Sequence, residues 1–320
     1  MIVRAFIFPG QGSQFVGMAQ DLAAAFGTAR DVLNEVDETL RQKLSKLMFE
    51  GPAEDLTLTE NTQPALMAMS LAVMRVIERD GGKSLMETAS LVAGHSLGEY
   101  SALAAAGSFS LAETAQLLRL RGTAMQRAVA PGEGAMAALL GTDLDQAQAI
   151  CAEAAPNPET GKRDLIQPAN DNGGGQVVIS GHKAAIERAI ELAKARGVKR
   201  ALLLPVSAPF HCGLMAPAAD VMAEALATAS LMAPMVPVVA NVTAAKATDP
   251  TDIRKLLVDQ VTGMVRWRES VLAMAEMGVT HFVEIGAGKV LAGLVRRILP
   301  EANVTSIGTP AEIEAFLATL

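Results

Sequence analysis

The chain has 320 residues, half of them apolar and 3% aromatic, with two cysteines and a formal net charge of −7. That length allows a sizeable core and about two domains, and the composition excludes a disordered or fibrous chain. The acidic balance argues against a general nucleic-acid binder, and Cys151 and Cys212 lack the number and spacing of a disulfide framework or a zinc site, so no disulfide and no structural metal are expected.

From the N-terminus, Met1 to Phe8 is a short apolar run that ends at Pro9-Gly10-Gln11-Gly12. It lacks the basic start, long apolar core and small-residue cleavage site of a signal peptide, and predicts a buried strand over residues 3–8. No stretch approaches the roughly 18 uninterrupted apolar residues of a membrane span, so the expectation is a cytoplasmic protein that does not enter a membrane. Further β-rich runs at 90–94, 236–240 and 281–285 alternate with longer helical patterns, the signature of an α/β fold with a largely parallel sheet. The run Val92-Ala93-Gly94-His95-Ser96-Leu97-Gly98 leads into a helix that starts near Gly98-Glu99.

Between the linker Pro131-Gly132-Glu133-Gly134 and Pro205 the pattern changes. It reads as strand 135–140, helix 143–155, strand 165–169, strand 176–180, helix 183–195 and strand 199–203. That β-α-β-β-α-β order is ferredoxin-like, and predicts a small subdomain at 133–203 inserted into a body formed by 1–132 and 204–320.

Gly94-His95-Ser96-Leu97-Gly98 is a G-x-S-x-G nucleophile elbow, a tight strand-to-helix turn that lifts a serine hydroxyl clear of the backbone. The helix N-terminus behind it offers free N–H groups to a developing oxyanion. A serine nucleophile needs a base, and there are four histidines. His95 adjoins the serine and would point away from it, His182 opens a helix of the insert, and His281 precedes a strand. His211, in the loop Val206-Ser207-Ala208-Pro209-Phe210-His211, is the remaining candidate. On the helix around Leu117-Leu118-Arg119-Leu120-Arg121-Gly122, Arg121 shares the apolar side with Leu117, Leu118 and Met125, whereas Arg119 lies opposite. A buried guanidinium needs a carboxylate, either an internal Asp or Glu or a substrate acid.

Phe8-Pro9-Gly10-Gln11-Gly12-Ser13-Gln14, Gly94-His95-Ser96-Leu97-Gly98-Glu99-Tyr100, Arg121-Gly122 and Ser207-Ala208-Pro209-Phe210-His211 resemble the ordered motifs of malonyl-CoA:acyl carrier protein transacylases. The resemblance extends through Asn241-Val242-Thr243, Gln260-Val261, Val265-Arg266-Trp267 and Val283 to Leu291, and so covers nearly the whole chain. It implies an α/β-hydrolase-like body with a ferredoxin-like insert. It further implies Ser96 as nucleophile, His211 as general base and acid, and Arg121 as the clamp for the free malonyl carboxylate. The backbone N–H groups of Gln11 and Leu97 would form the oxyanion hole, Gln260 would orient the histidine, and Met125 and Phe210 would line the acyl pocket. Asn170 and Asn172 resemble an Asn-x-Asn piece of the family, although Asn is also common in turns. Where many stand-alone members have a small polar residue, this chain has Phe210, which fits malonyl selection with incomplete exclusion of methylmalonyl.

The implied partners are malonyl-CoA and an acyl carrier protein, with CoA thioester as substrate, no bound cofactor and a monomeric enzyme. Lys194, Arg196, Lys199 and Arg200 form a candidate basic patch for an acidic carrier protein. Three other readings remain open at this point. A serine hydrolase would take its triad acid from Asp143, Asp145, Asp164 or Asp171. A dinucleotide site would use Gly286-Ala287-Gly288, although the later spacing fails G-x-G-x-x-G. A non-catalytic acyl-binding protein would leave the Ser–His pair unassembled.

Overall fold

The computed structural model describes residues 2–206 and 208–320, so Met1 and Ser207 of the motifs above lie outside the described residues. Among the described residues ten strands form two sheets: β1 (Arg4–Phe8), β2 (Leu91–Gly94), β3 (Gly134–Leu140), β4 (Ile166–Gly173), β5 (Gln176–His182), β6 (Arg200–Leu203), β7 (Val238–Val239), β8 (Lys246–Ala247), β9 (His281–Ile285) and β10 (Asn303–Ile307). The larger sheet has the order β10-β9-β1-β2-β7-β8, parallel throughout except for the short antiparallel β8.

Alternation along β1 explains why both faces of this sheet are covered. Phe6 and Phe8 enter one core with the helices Gly27–Leu40, Thr59–Arg75 and Gly98–Ala105. Ala5 and Ile7 enter a second core with Trp267, Val271, Leu291 and Leu294. Successive strand side chains point to opposite faces, so a central parallel strand reads as a continuous apolar run. The expected strand over 236–240 is shorter, because Pro237 has no N–H for the ladder and contributes only its carbonyl, to Val92 N at 3.0 Å.

The second sheet has the order β4-β5-β3-β6 and is antiparallel throughout. The helices Leu144–Ala154 and Lys183–Ala195 pack on one of its faces around Ala137, Leu139, Ile150, Ile179 and Ile186. Strand β4 runs past its expected end at Ala169 to Gly173, because bulges let Asn170 and Asp171 keep pairing with Val178 and Val177. That extension ties the second sheet to the segment 265–268, whose Val265 and Trp267 pack in the core against the larger sheet. Val265 N donates to Ala169 O at 2.8 Å, Asp171 N donates to Val265 O at 3.0 Å, and Arg268 Nε donates to the Asp171 carboxylate at 2.8 Å.

Among the described residues no helix is long and apolar enough to cross a membrane. Both cysteines are free and buried.

Candidate active site

Strand β2 runs into the helix Gly98–Ala105 through a turn that only glycine permits on either side of Ser96. A Cβ on Gly94 would lie 1.9 Å from the carbonyl of Gly98, and one on Gly98 would lie 2.2 Å from Phe8 O. Ser96 itself has φ +54°, the left-handed conformation that non-glycine residues rarely adopt. Asn241 holds the turn closed: its Oδ1 accepts from Ser96 N at 2.7 Å and its Nδ2 donates to Gly94 O at 2.6 Å.

Ser96 Oγ lies 2.7 Å from His211 Nε2. The other ring nitrogen, Nδ1, faces two carbonyl oxygens, Gln260 O at 2.9 Å and Gly263 O at 3.2 Å. Carbonyls only accept, so Nδ1 carries the proton and Nε2 is free to accept the serine proton. Among the described residues no carboxylate bonds to the histidine. Gln260 meets it through the main chain, while its side chain turns to other partners. Burial, with the Arg121 charge nearby, pushes the imidazole pKa down to about 3, so it is the neutral base form that faces Ser96.

Arg121 is 1% exposed, on the same side of the helix Leu111–Arg127 as buried Leu117, Leu118 and Met125. Its Nη1 donates to Gln63 Oε1 at 2.9 Å, and its Nη2 to Gln260 Oε1 at 2.9 Å and to Ser96 Oγ at 3.2 Å. Its Nε is buried without a partner, and among the described residues no carboxylate approaches the guanidinium within 4.0 Å. Among the described residues its hydrogen bonds all go to neutral oxygens and its Cζ lies 5.7 Å from the centre of the Tyr100 ring, so the guanidinium beside the serine hydroxyl has no directly bonded carboxylate. Arg119, half-buried on the other side, donates to Gln42 and Asn61.

These groups open into a cavity of about 360 Å³, lined among others by Gln11, Leu97, Met125, Asn170, Asn172 and Phe210. Among the described residues the N–H groups of Gln11 and Leu97 donate to no acceptor. His95 reaches sideways, with Nε2 2.9 Å from Asn172 Oδ1 and its ring 5.6 Å from that of Trp267. The two asparagines thus lie on the extended strand β4 against the cavity, not in a turn. His182 accepts from Leu165 N, and His281 is bonded to Thr280, both away from Ser96.

Three groups around the serine were not expected from the sequence. Gln63 links Arg121 to Thr59, which donates to Gln11 Oε1. Asn241 clamps the elbow, and Glu99, 1% exposed, accepts from Asn241 N at 2.9 Å and from Gln260 Nε2 at 2.8 Å. Glu99 was readable as part of the Gly98-Glu99-Tyr100 motif. Its position, one residue into a wholly buried helix, was the available signal.

The hydrolase reading loses its acid, since Asp143 caps a helix and Asp145 lies in its first turn, Asp164 pairs with Arg188, Asp171 pairs with Arg268, and among the described residues no Asp bonds to His211. The dinucleotide reading loses its anion site. After Gly286-Ala287-Gly288 the N–H groups of Leu291 and Ala292 already donate to the buried Glu284 carboxylate, at 3.0 and 2.9 Å. In the proposed basic patch, Lys194 is paired with Glu191 and Arg196 with Glu153.

A family model described as the acyl transferase domain matches residues 5–311. The chain belongs to this family. It is similar to the malonyl CoA-acyl carrier protein transacylase of Bacillus subtilis, 45% identical over 99% of this chain and 96% of that one. Among solved structures, the acyl-carrier-protein S-malonyltransferase of Bartonella henselae superposes with a TM-score of 0.95 at 54% identity, covering 99% of each chain. A malonyl-transacylase solved in complex with its type II PKS acyl-carrier protein superposes with a TM-score of 0.94 at 43% identity, over 99% of this chain and 100% of that one. As in these acyl transferases, a body with a parallel sheet carries a second, antiparallel sheet.

Proposed function

We propose that the protein transfers a malonyl group from malonyl-CoA to the phosphopantetheine thiol of an acyl carrier protein, through an ester on Ser96, for fatty-acid or polyketide synthesis. The observation that carries this reading is Ser96 Oγ bonded at once to a neutral histidine and to a buried arginine that has no directly bonded carboxylate among the described residues. His211 Nε2 takes the hydroxyl proton as Oγ attacks the thioester carbonyl, and returns it to the CoA sulfur as the C–S bond breaks. The carrier thiol then reverses the sequence on the same ester. Gln11 N and Leu97 N receive the oxyanion, and the Gln260 carbonyl keeps the imidazole in the required tautomer.

Arg121 selects the acyl group. A malonyl carboxylate pairs with its fork, whereas an acetyl group leaves the guanidinium without a directly bonded carboxylate. Met125 and Phe210 close the pocket around the acyl chain. Residues 133–203 act as a small subdomain whose strand β4 forms one wall of the cavity, and the enzyme works as a cytoplasmic monomer without a bound cofactor. Intact-mass spectrometry after mixing with malonyl-CoA tests the reading. One malonyl adduct on the wild type and none on Ser96→Ala is expected, and an adduct that survives Ser96→Ala would refute the nucleophile.

A further inference from the structure

Resting on that reading, the geometry points to Glu99 as the resting counter-charge of Arg121, one that takes up a proton from solvent when a malonyl carboxylate arrives on the guanidinium. The side-chain amide of Gln260 stands between the two. Its Nε2 donates to Glu99 Oε2 at 2.8 Å and its Oε1 accepts from Arg121 Nη2 at 2.9 Å, so acid and base are one amide apart without touching. Both are 1% exposed, and among the described residues Arg121 has no carboxylate within 4.0 Å. With the acyl pocket empty, an ionised Glu99 therefore balances the arginine, and the buried cluster is neutral.

An ionised malonyl group changes that balance. It adds a second negative charge to a site whose one buried cation is then shared by two carboxylates. Like charges one amide apart at an effective dielectric constant of about 20 bias a proton equilibrium by tenfold or more. Glu99 is the group able to yield. Its Oε2 accepts from Asn241 N and Gln260 Nε2, while Oε1 has no hydrogen-bond partner among the described residues and is free to carry a proton. Burial already pushes its pKa up to about 7, with Arg121 acting in the opposite direction. The other titratable groups nearby are Tyr100, pushed up to about 12 and so neutral, and His211, pushed down to about 3 and so neutral. An acetyl group brings no charge and leaves Glu99 ionised.

The consequence is a specificity that depends on pH. Above neutral pH a malonyl group must bring a proton with it, so the ratio of malonyl to acetyl loading falls as pH rises. The experiment follows proton uptake with an indicator dye in weakly buffered solution at about pH 7.5 while Ser96 is loaded, with acetyl-CoA as the control that cancels the proton balance of the released CoA thiol. A substantial fraction of one proton per malonyl-enzyme is expected, with none beyond the acetyl control in Glu99→Gln. Across about pH 6 to about pH 9 the wild-type kcat/KM ratio of malonyl to acetyl should drop about tenfold, and that of Glu99→Gln by less than about threefold. A purely structural role for Glu99 would change both substrates alike. Equal uptake with malonyl and acetyl, or uptake that persists in Glu99→Gln, overturns the proposal. If that variant does not fold, the wild-type comparison alone decides it. Failure of the wild type to form any malonyl adduct would instead strike at the proposed function.

Discussion

Replacing Arg121 by Ala removes a guanidinium that is 1% exposed and bonded to Gln63, Gln260 and Ser96. With malonyl, the lost interaction is a hydrogen-bonded charge pair in a largely dry pocket, and truncating one partner of such a pair costs about 2–5 kcal/mol. Malonyl kcat/KM should therefore fall by roughly thirtyfold to several thousandfold. With acetyl, no direct charge pair between enzyme and acyl group exists to be lost; that rate should move by less than about threefold. Arg121→Lys keeps the charge without the planar fork and should fall between. The assay is the initial rate of Ser96 acylation, read by intact mass, with the two thioesters supplied separately and in competition. Losses by the same factor on both substrates would refute the clamp.

Gly94→Ala puts a methyl group 1.9 Å from the Gly98 carbonyl, and should destabilise the protein by about 3 kcal/mol or more in urea unfolding; a loss below about 1 kcal/mol would mean that the elbow relaxes freely. His211 binds a proton near pH 6.5 when unfolded but only near pH 3 when folded, so between those values the unfolded state holds more protons and stability rises with pH. The stability of the wild type relative to His211→Gln should accordingly increase by up to about 1.4 kcal/mol per pH unit across that window, and a flat difference would show that the imidazole is hydrated. Phe210 is 8% exposed on the cavity wall; if it limits the space beside the acyl α-carbon as proposed, Phe210→Ala should raise methylmalonyl loading relative to malonyl by about tenfold, and an unchanged ratio would move the selection elsewhere.

The parts of the fold that were legible are those where one local rule acts alone. Strand β2 and, after Arg4, β1 are continuous apolar runs because both faces of a central parallel strand are buried, β9 is apolar at Phe282, Val283 and Ile285, and the β-α-β-β-α-β order of residues 134–203 follows from clean switches between periods. Strand β10 escaped because Asn303-Val304-Thr305-Ser306-Ile307 is a polar edge strand with only Ile307 fully buried, and β8 because two residues carry no period. The elbow was visible through its glycines, and Arg121 through its place on an apolar side. Gln63 was not, since the helix Thr59–Arg75 is buried on every side for most of its length and leaves no stripe against which a polar residue stands out. Nor was the part played by Glu99, which depends on Gln260 and Asn241 being brought from more than 140 positions away.

The proposed transfer requires a covalent malonyl-enzyme that prefers a thiol to water. The direct measurement isolates the malonylated protein free of CoA, mixes it rapidly with a phosphopantetheinylated acyl carrier protein or with buffer alone, and follows both proteins by intact mass. Stoichiometric passage of the malonyl group from Ser96 to the carrier thiol, much faster than its loss to buffer, is the predicted result. Loss at the same rate with and without the carrier protein would contradict it and leave a hydrolase in its place.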